Sequence, residues 1–142
     1  MWVGMRAELL GSDRIECELP YDCGAARAFD AFTNPEALAT WWGKEAFVDP
    51  GIGGGLKVLW PEQGFEFYGT YFEFSPDRSL GYTWNWKHSG VSNLRVRIEF
   101  QPKSLKVTHS GFTESQADQI SRKEILEGWT FFLPRLSDYL AR

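Results

Sequence analysis

No stretch of this 142-residue chain holds about 18 consecutive apolar residues, which excludes a membrane-spanning helix. The opening residues, Met1-Trp2-Val3-Gly4-Met5-Arg6, contain no apolar run of signal-peptide length, so the expected location is cytoplasmic. Basic blocks are missing as well: 15 Lys and Arg are scattered among 19 Asp and Glu, for a net charge of −4. Nucleic-acid binding needs a clustered cationic stripe that displaces counterions, and none is expected here. Cysteine is scarce, and Cys17 and Cys23 fit no metal or redox spacing. Cys17 alternates with Ile15 and Leu19 and reads as a buried strand residue, while Cys23 falls in the turn that follows. No structural disulfide is expected. Histidine is scarcer in effect than in number, since His88 and His109 lack a third ligand for a metal.

What the chain does have is aromatic mass: 16% of residues, seven of them tryptophan. It also ends on a strong helical signal from Ser115 to Arg142. Ile125, Trp129, Phe132, Leu133, Leu136 and Leu140 fall on one stripe, flanked by Arg122, Lys123, Glu127, Arg135 and Asp138 as the polar neighbourhood. Such a face is not stable alone in water and must be covered by what precedes it. Pro134 lies inside this helix, where it removes one backbone bond and crowds the carbonyl of Thr130, so a kink is expected there. The chain length predicts one domain, residues 1–142, burying roughly 70% of its unfolded surface.

Upstream, Asp13 to Leu19 alternates as a strand ended by Pro20. Asp22 is the expected cap of a short helix carrying Ala25, Ala28, Phe29 and Phe32. Asn34-Pro35 starts a second short helix, with Leu38, Trp41 and Trp42, that stops at Gly43. From Glu45 the period changes to two. Leu56, Val58 and Trp60 share a face, as do Leu80, Tyr82, Trp84 and Trp86. Leu94, Val96, Ile98 and Phe100 form the clearest strand, and Leu105, Val107 and His109 line the next. Pro61-Glu62-Gln63-Gly64, Ser75-Pro76-Asp77-Arg78 and Gln101-Pro102-Lys103 are turn chemistry. Phe65 to Phe74 has aromatics at both parities, and Gly69 is the candidate position for a bulge that changes its facing. The order is strand, two short helices, about six antiparallel strands and a long helix, which makes an α+β domain.

Several motifs in this order resemble one family along nearly the whole chain. They are Ala28-Phe29-Asp30-Ala31-Phe32-Thr33-Asn34-Pro35, then Leu38 through Trp41-Trp42-Gly43, then Asp49-Pro50 with Gly53-Gly54-Gly55. Gly69 through Ser75-Pro76 to Leu80, Tyr82 and Trp84 follow, then His109-Ser110-Gly111-Phe112 and Gly128-Trp129. The chain resembles the START-like (SRPBCC) superfamily, and within it the bacterial single-domain relatives of the heat-shock protein 90 ATPase activator. The resemblance implies a helix-grip fold: a curved antiparallel sheet of six or seven strands around the C-terminal helix, with a cavity between them. It carries over no catalytic set, because fold analogy does not transfer function.

Glycines 51, 53, 54 and 55 lack the Lys-Ser/Thr of a phosphate loop and precede a strand, so they read as a hairpin entry. Alternation points His109 under the long helix, either as a buried histidine satisfied by one hydrogen bond or as a polar anchor in an apolar pocket. No carboxylate is placed to make it a general base, and no nucleophile-plus-base spacing is present. Glu16, Glu18 and Glu99 fit solvated strand faces; Glu66 and Glu73 depend on the unresolved register, with Glu73 the candidate for a cavity-facing charge. The aromatics either fill the space under the helix, each burying about 150–250 Å², or line a site there. A dry, empty pocket of about 300 Å³ would cost on the order of 7 kcal/mol, comparable with a domain's whole net stability. Side chains, water or ligand must therefore occupy it, and seven tryptophans predict a pocket smaller than that of lipid-carrying relatives.

The leading expectation is a domain that binds a small hydrophobic or aromatic ligand through Trp41, Trp42, Tyr71, Trp84, Trp86, Ile98, His109, Trp129, Phe132 and Leu133, with no cofactor, metal or catalytic residue. The resemblance supplies two alternatives: a stress-related domain that interacts with a chaperone, and a cyclase- or hydrolase-like enzyme. Activators that act directly on the chaperone carry another domain before this one, for which 142 residues leave no room, so direct activation is not expected. Monomer and homodimer are both open.

Overall fold

The computed structural model describes residues 4–86 and 94–142; His88 lies outside them. Its eight strands are β1 (Arg6–Leu10), β2 (Arg14–Pro20), β3 (Glu45–Val48), β4 (Gly55–Trp60), β5 (Phe65–Ser75), β6 (Ser79–Trp86), β7 (Leu94–Phe100) and β8 (Ser104–Ser110). Helices α1 (Ala25–Thr33) and α2 (Pro35–Trp41) follow β2, and α3 (Gln116–Leu140) closes the chain. The strands form one curved, unclosed sheet in the order β1-β2-β8-β7-β6-β5-β4-β3, with every neighbouring pair antiparallel. The helix-grip architecture is as the sequence and the resemblance predict. The sheet exceeds the expected six or seven strands by β1, a five-residue edge strand with Arg6 and Glu8 on its outer side.

The inner face of the sheet is read directly from the register. Ile15, His109, Val96, Tyr82 and Tyr71 lie side by side across five strands, each 0–1% exposed. Cys17, Val107, Ile98, Leu80 and Phe74 form the next row. Phe74 reaches this row because the β5–β6 register shifts between Tyr71 and Glu73. The bulge that resolves the mixed parity of β5 is therefore present, but past Gly69, beyond Tyr71. Its consequence is that Glu73 points outward, where Arg97 clasps it through two hydrogen bonds of 3.0 and 3.1 Å. That guanidinium holds the Glu73 carboxyl below its ordinary pKa. Glu73 is not a cavity-facing charge.

The outer face is a lattice of opposite charges. Arg6 reaches Glu8, Glu16 and Glu18; Lys106 also approaches Glu16, and Arg97 reaches Glu99. Glu16, Glu18 and Glu99 thus sit on solvated faces as expected.

On the inner side, α1 packs Phe29 edge-on against Phe74 and Phe100, and Phe32 against Phe100 and Trp41. The N-cap of α1 is Gly24 with no side-chain cap, so Asp22 does not take the role expected of it. Asn34 does: its side chain accepts from Glu36 N at 2.9 Å, with Pro35 at the first helical position. Ser115 caps α3 by accepting from Asp118 N. Trp129, Leu133, Leu136 and Leu140 bury the predicted stripe, with Ile125 and Phe132 half-buried beside it. The helix is continuous through Pro134 to Leu140.

One residue of the supposed polar neighbourhood is buried. Arg122 is 7% exposed and donates to the backbone carbonyl of Arg14 at 3.0 Å and to Gln119 at 3.1 Å. It fastens the start of α3 to β2, while Arg27 fastens the end by donating to Tyr139 O. Both cysteines are free. Among the described residues no helix is long and apolar enough to cross a membrane, and no cluster of three metal-ligating side chains occurs.

Candidate ligand groove

The site begins where α2 ends. Trp41 is buried at 1% exposure and donates its indole N–H to Ala31 O at 2.8 Å. Trp42 caps the helix, and Gly43 then passes so close to β4 that an added Cβ would sit 2.5 Å from Val58 and 2.9 Å from Leu59 O. Only glycine fits there, and the close passage presses Trp42 onto the sheet. The indole N–H of Trp60 on β4 donates to Trp42 O at 2.9 Å and locks the junction.

Trp42 is the hub of an aromatic cluster. Its ring stacks on Trp41 at 5.3 Å and lies within 5.5–6.1 Å of Phe67, Trp129, Trp60 and Trp84. Trp84 stacks on Trp86 at 6.2 Å, and Trp60 meets Trp86 and Phe132 edge-on or tilted. Flat rings packed by edges and offset faces leave wedge-shaped space between them, and that space is a groove of about 540 Å³. The sheet side contributes Trp60, Phe65, Trp84 and Trp86; α3 contributes Ile125, Gly128, Trp129, Phe131 and Phe132. Polar groups from Lys44, Gln63, Ser121, Glu124 and Arg135 complete it. Arg135 is held by donating to Trp41 O at 3.1 Å, and Lys44 lies 3.5 Å from Glu62.

Of the residues singled out from sequence, Trp42, Trp84, Trp86, Trp129 and Phe132 come together on this groove. Trp41, Tyr71, Ile98, His109 and Leu133 lie in the core outside its lining. Sequence reasoning missed Trp60, Phe65, Ile125, Gly128 and Phe131. The signal for the helical part was present: Ser121, Glu124, Gly128, Phe131 and Arg135 recur at steps of three and four, one flank of the buried stripe.

His109 sits directly behind the groove. Its ring lies 4.6 Å from that of Trp84, and its Nδ1 accepts from the Trp129 indole N–H at 3.0 Å. Full burial pushes its pKa down to about 3, so the imidazole is neutral at physiological pH. Its partner is an indole, not a carboxylate, and the Cys17 thiol is pushed up to about 12 by burial. Neither group is an activated base or nucleophile. What this arrangement can do is hold a flat apolar molecule against ring faces, with polar groups at the rim.

Comparison with known proteins places the fold and the family. A family model described as "Activator of Hsp90 ATPase homolog 1-like protein" matches residues 22–141. Curated proteins give no match. Among solved structures, a protein from Rhodobacter sphaeroides aligns with TM-score 0.83 and 18% identity over 96% of this chain and 97% of its own. An HSP90 activator from Plasmodium falciparum aligns with TM-score 0.75 and 22% identity over 91% of this chain and 96% of its own. DynU16, from the dynemicin biosynthetic locus, aligns with TM-score 0.79 and 19% identity over 92% of this chain, which spans 48% of that longer one. At these identities the likeness is one of fold. The match over residues 22–141 does more: the chain belongs to the activator of Hsp90 ATPase homolog 1-like protein family.

Proposed function

We propose that this protein binds a small hydrophobic or aromatic molecule in the groove between α3 and the β4–β6 part of the sheet. The observation that carries the reading is the groove itself, about 540 Å³ walled by eight aromatic rings. Ligand sites have this character: apolar and aromatic walls with a few polar groups that set orientation. Gly128 adds support. It lines the groove in the middle of α3, and a Cβ there would meet nothing within 4 Å. Glycine costs about 1 kcal/mol relative to alanine inside a helix, so no packing need explains it, whereas open space for a ligand does.

Thermal-shift screening with flat hydrophobic compounds, together with native mass spectrometry for co-purified ligand, tests the reading. Saturable stabilisation that is lost in Trp129→Ala is the expected result. Absence of any response in wild type across a broad panel contradicts it.

The family's description and the Plasmodium falciparum neighbour favour a second reading, contact with a chaperone. A pull-down with the bacterial chaperone, read beside its ATPase rate, supports this reading if both respond and removes it if neither does.

A further inference from the structure

The charged groups of the groove are not spread evenly along it. Arg135 donates its Nε–H to Trp41 O at 3.1 Å, and that carbonyl belongs to the peptide leading into Trp42. Trp42, Gly43 and Lys44 line the groove in turn, so the Arg135 guanidinium and Lys44 belong to the same end, where α2 meets the sheet. Glu124 is the one carboxylate among the described lining residues, and it precedes Arg135 on α3 by three helical turns. At 1.5 Å of rise per residue, about 16 Å of helix separates the two. Exposed charges act over only about 8 Å at physiological salt. Glu62 lies 3.5 Å from Lys44, but both side chains are largely exposed, and such pairs are weak. The α2 end is therefore locally cationic in a chain whose net charge is −4.

Arg135 is also prepared for a second acceptor. Trp41 O is one of the carbonyls that the end of α2 leaves without an intrahelical donor, and capping it occupies one of five guanidinium N–H groups. The other four have no protein acceptor among the described residues, and no carboxylate there pairs with Arg135. The Nε bond sets the plane of the fork in advance, so less freedom is lost when an acceptor arrives. A planar carboxylate matches the paired N–H groups of that fork. One negative charge also suits the lining, where Lys44 and Arg135 stand against Glu124 alone. Arg135 is exposed, so an anion on it keeps part of its hydration and escapes the full cost of burying a charge. Below it lie only ring faces and edges, which receive the apolar part of the same molecule.

We propose that the groove's ligand is a flat aromatic carboxylic acid, bound as its anion, with the rings among the indoles and the carboxylate on the free edge of the Arg135 guanidinium beside Lys44. This rests on the ligand-binding reading above and adds to it the functional group that is recognised and the end of the groove that recognises it.

A matched pair of probes tests it: 2-naphthoate and 2-naphthamide, the same bicycle with a charged and an uncharged head of similar shape. Affinities are measured by calorimetric titration on wild type and on Arg135→Gln. Wild type is expected to bind the acid about fivefold more tightly than the amide at low salt, the scale of a well-formed ion pair at an exposed rim. That ratio falls toward one at high salt, because exposed charges are screened, and toward one in Arg135→Gln at any salt. Should the variant not fold, the Nε–H signal of Arg135 in wild type decides: it shifts with naphthoate and not with naphthamide. Equal affinities of wild type for the two probes at low salt overturn the carboxylate assignment and keep the binding reading intact. A ratio that survives in Arg135→Gln, or an Nε–H signal unmoved by naphthoate, overturns the role of Arg135. Tighter binding of 2-naphthyl phosphate than of 2-naphthoate overturns the assignment of a single charge. Binding of none of these probes, alongside silence across a broad panel, overturns the ligand-binding reading and this one with it.

Discussion

Under α3, the inner face of the sheet divides into two regions of different chemistry. On β2, β7 and β8 the core is built mainly from aliphatic side chains: Ile15, Leu19, Val96, Ile98, Leu105 and Val107, all at most 1% exposed, with Leu133 and Leu136 of the helix in the same cluster. On β4 to β6, with the end of α2, the same helix meets Trp42, Trp60, Trp84 and Trp86 across a groove of about 540 Å³. Branched aliphatics interdigitate to crystal-like density and close the space between layers. Indoles are wide plates that touch by edge and offset face, so a cluster of them is cohesive and still leaves a groove. Aromatic mass is therefore no guide to how full a core is. The expectation that tryptophans would fill much of the space describes Trp41, whereas Trp42, Trp60, Trp84, Trp86 and Trp129 wall the groove.

Truncation on the aliphatic side should have the largest effect on stability and the smallest on binding. Leu133→Ala is expected to cost about 2–5 kcal/mol in urea denaturation, with ligand affinity in the folded fraction unchanged. A loss below about 1 kcal/mol would mean that this region is not the structural half.

Trp129 joins the two regions. Trp129→Phe keeps a ring but removes the N–H bonded to His109 Nδ1, leaving a buried imidazole with no partner. The expected cost is about 1–3 kcal/mol, with weaker ligand binding as well.

His109 makes the junction sensitive to acid. Its folded pKa of about 3 lies below its ordinary 6.5, so the unfolded chain takes up the proton first. The stability it contributes is complete above pH 6.5 and is lost as pH falls toward 3. Between about pH 4.5 and 6.5 stability should fall by up to about 1.4 kcal/mol per pH unit. The carboxyls of Glu73 and Asp118, both shifted down by their hydrogen bonds, add their own losses only below their ordinary values of 4.5 and 3.8. His109→Phe should flatten the upper window; an unchanged slope would show that the histidine is not the titrating group.

Gly128→Ala reverses the usual sign. Alanine should stabilise α3 by about 0.5–1 kcal/mol in thermal melts while narrowing the groove and weakening the ligand. Smallest of all, Phe131→Ala should leave stability within about 0.5 kcal/mol, since Phe131 is 62% exposed, and should act on affinity alone.

Much of the fold beneath this division was legible in the sequence, for reasons that also explain the gaps. Period-two alternation placed Ile15, Cys17, Val96, Val107 and His109 inward, because both the pleat and burial enforce it. The helix stripe was as clear. The strand β1 was not legible: it is five residues long at an edge, with Arg6 and Glu8 on one side and side chains only partly buried on the other. Glu73 was misplaced as a candidate because a bulge has no unique residue signature, and one residue of slip reverses a side chain's facing. Arg122 looks like any surface cation until the carbonyl of Arg14 is brought to it from 108 residues away. The groove residues Trp60, Phe65 and Phe131 needed the third dimension, because which aromatic packs and which leaves space depends on neighbours from four separate elements.

The most direct test of the division is an NMR titration with a flat aromatic ligand that resolves indole N–H and methyl signals together. Saturable shifts confined to the indoles of Trp60, Trp84, Trp86 and Trp129 and to the methyls of Ile125, with those of Leu19, Leu105 and Val107 unmoved, are the predicted result. Shifts centred on the aliphatic methyls, or no saturable shift at all, would contradict it.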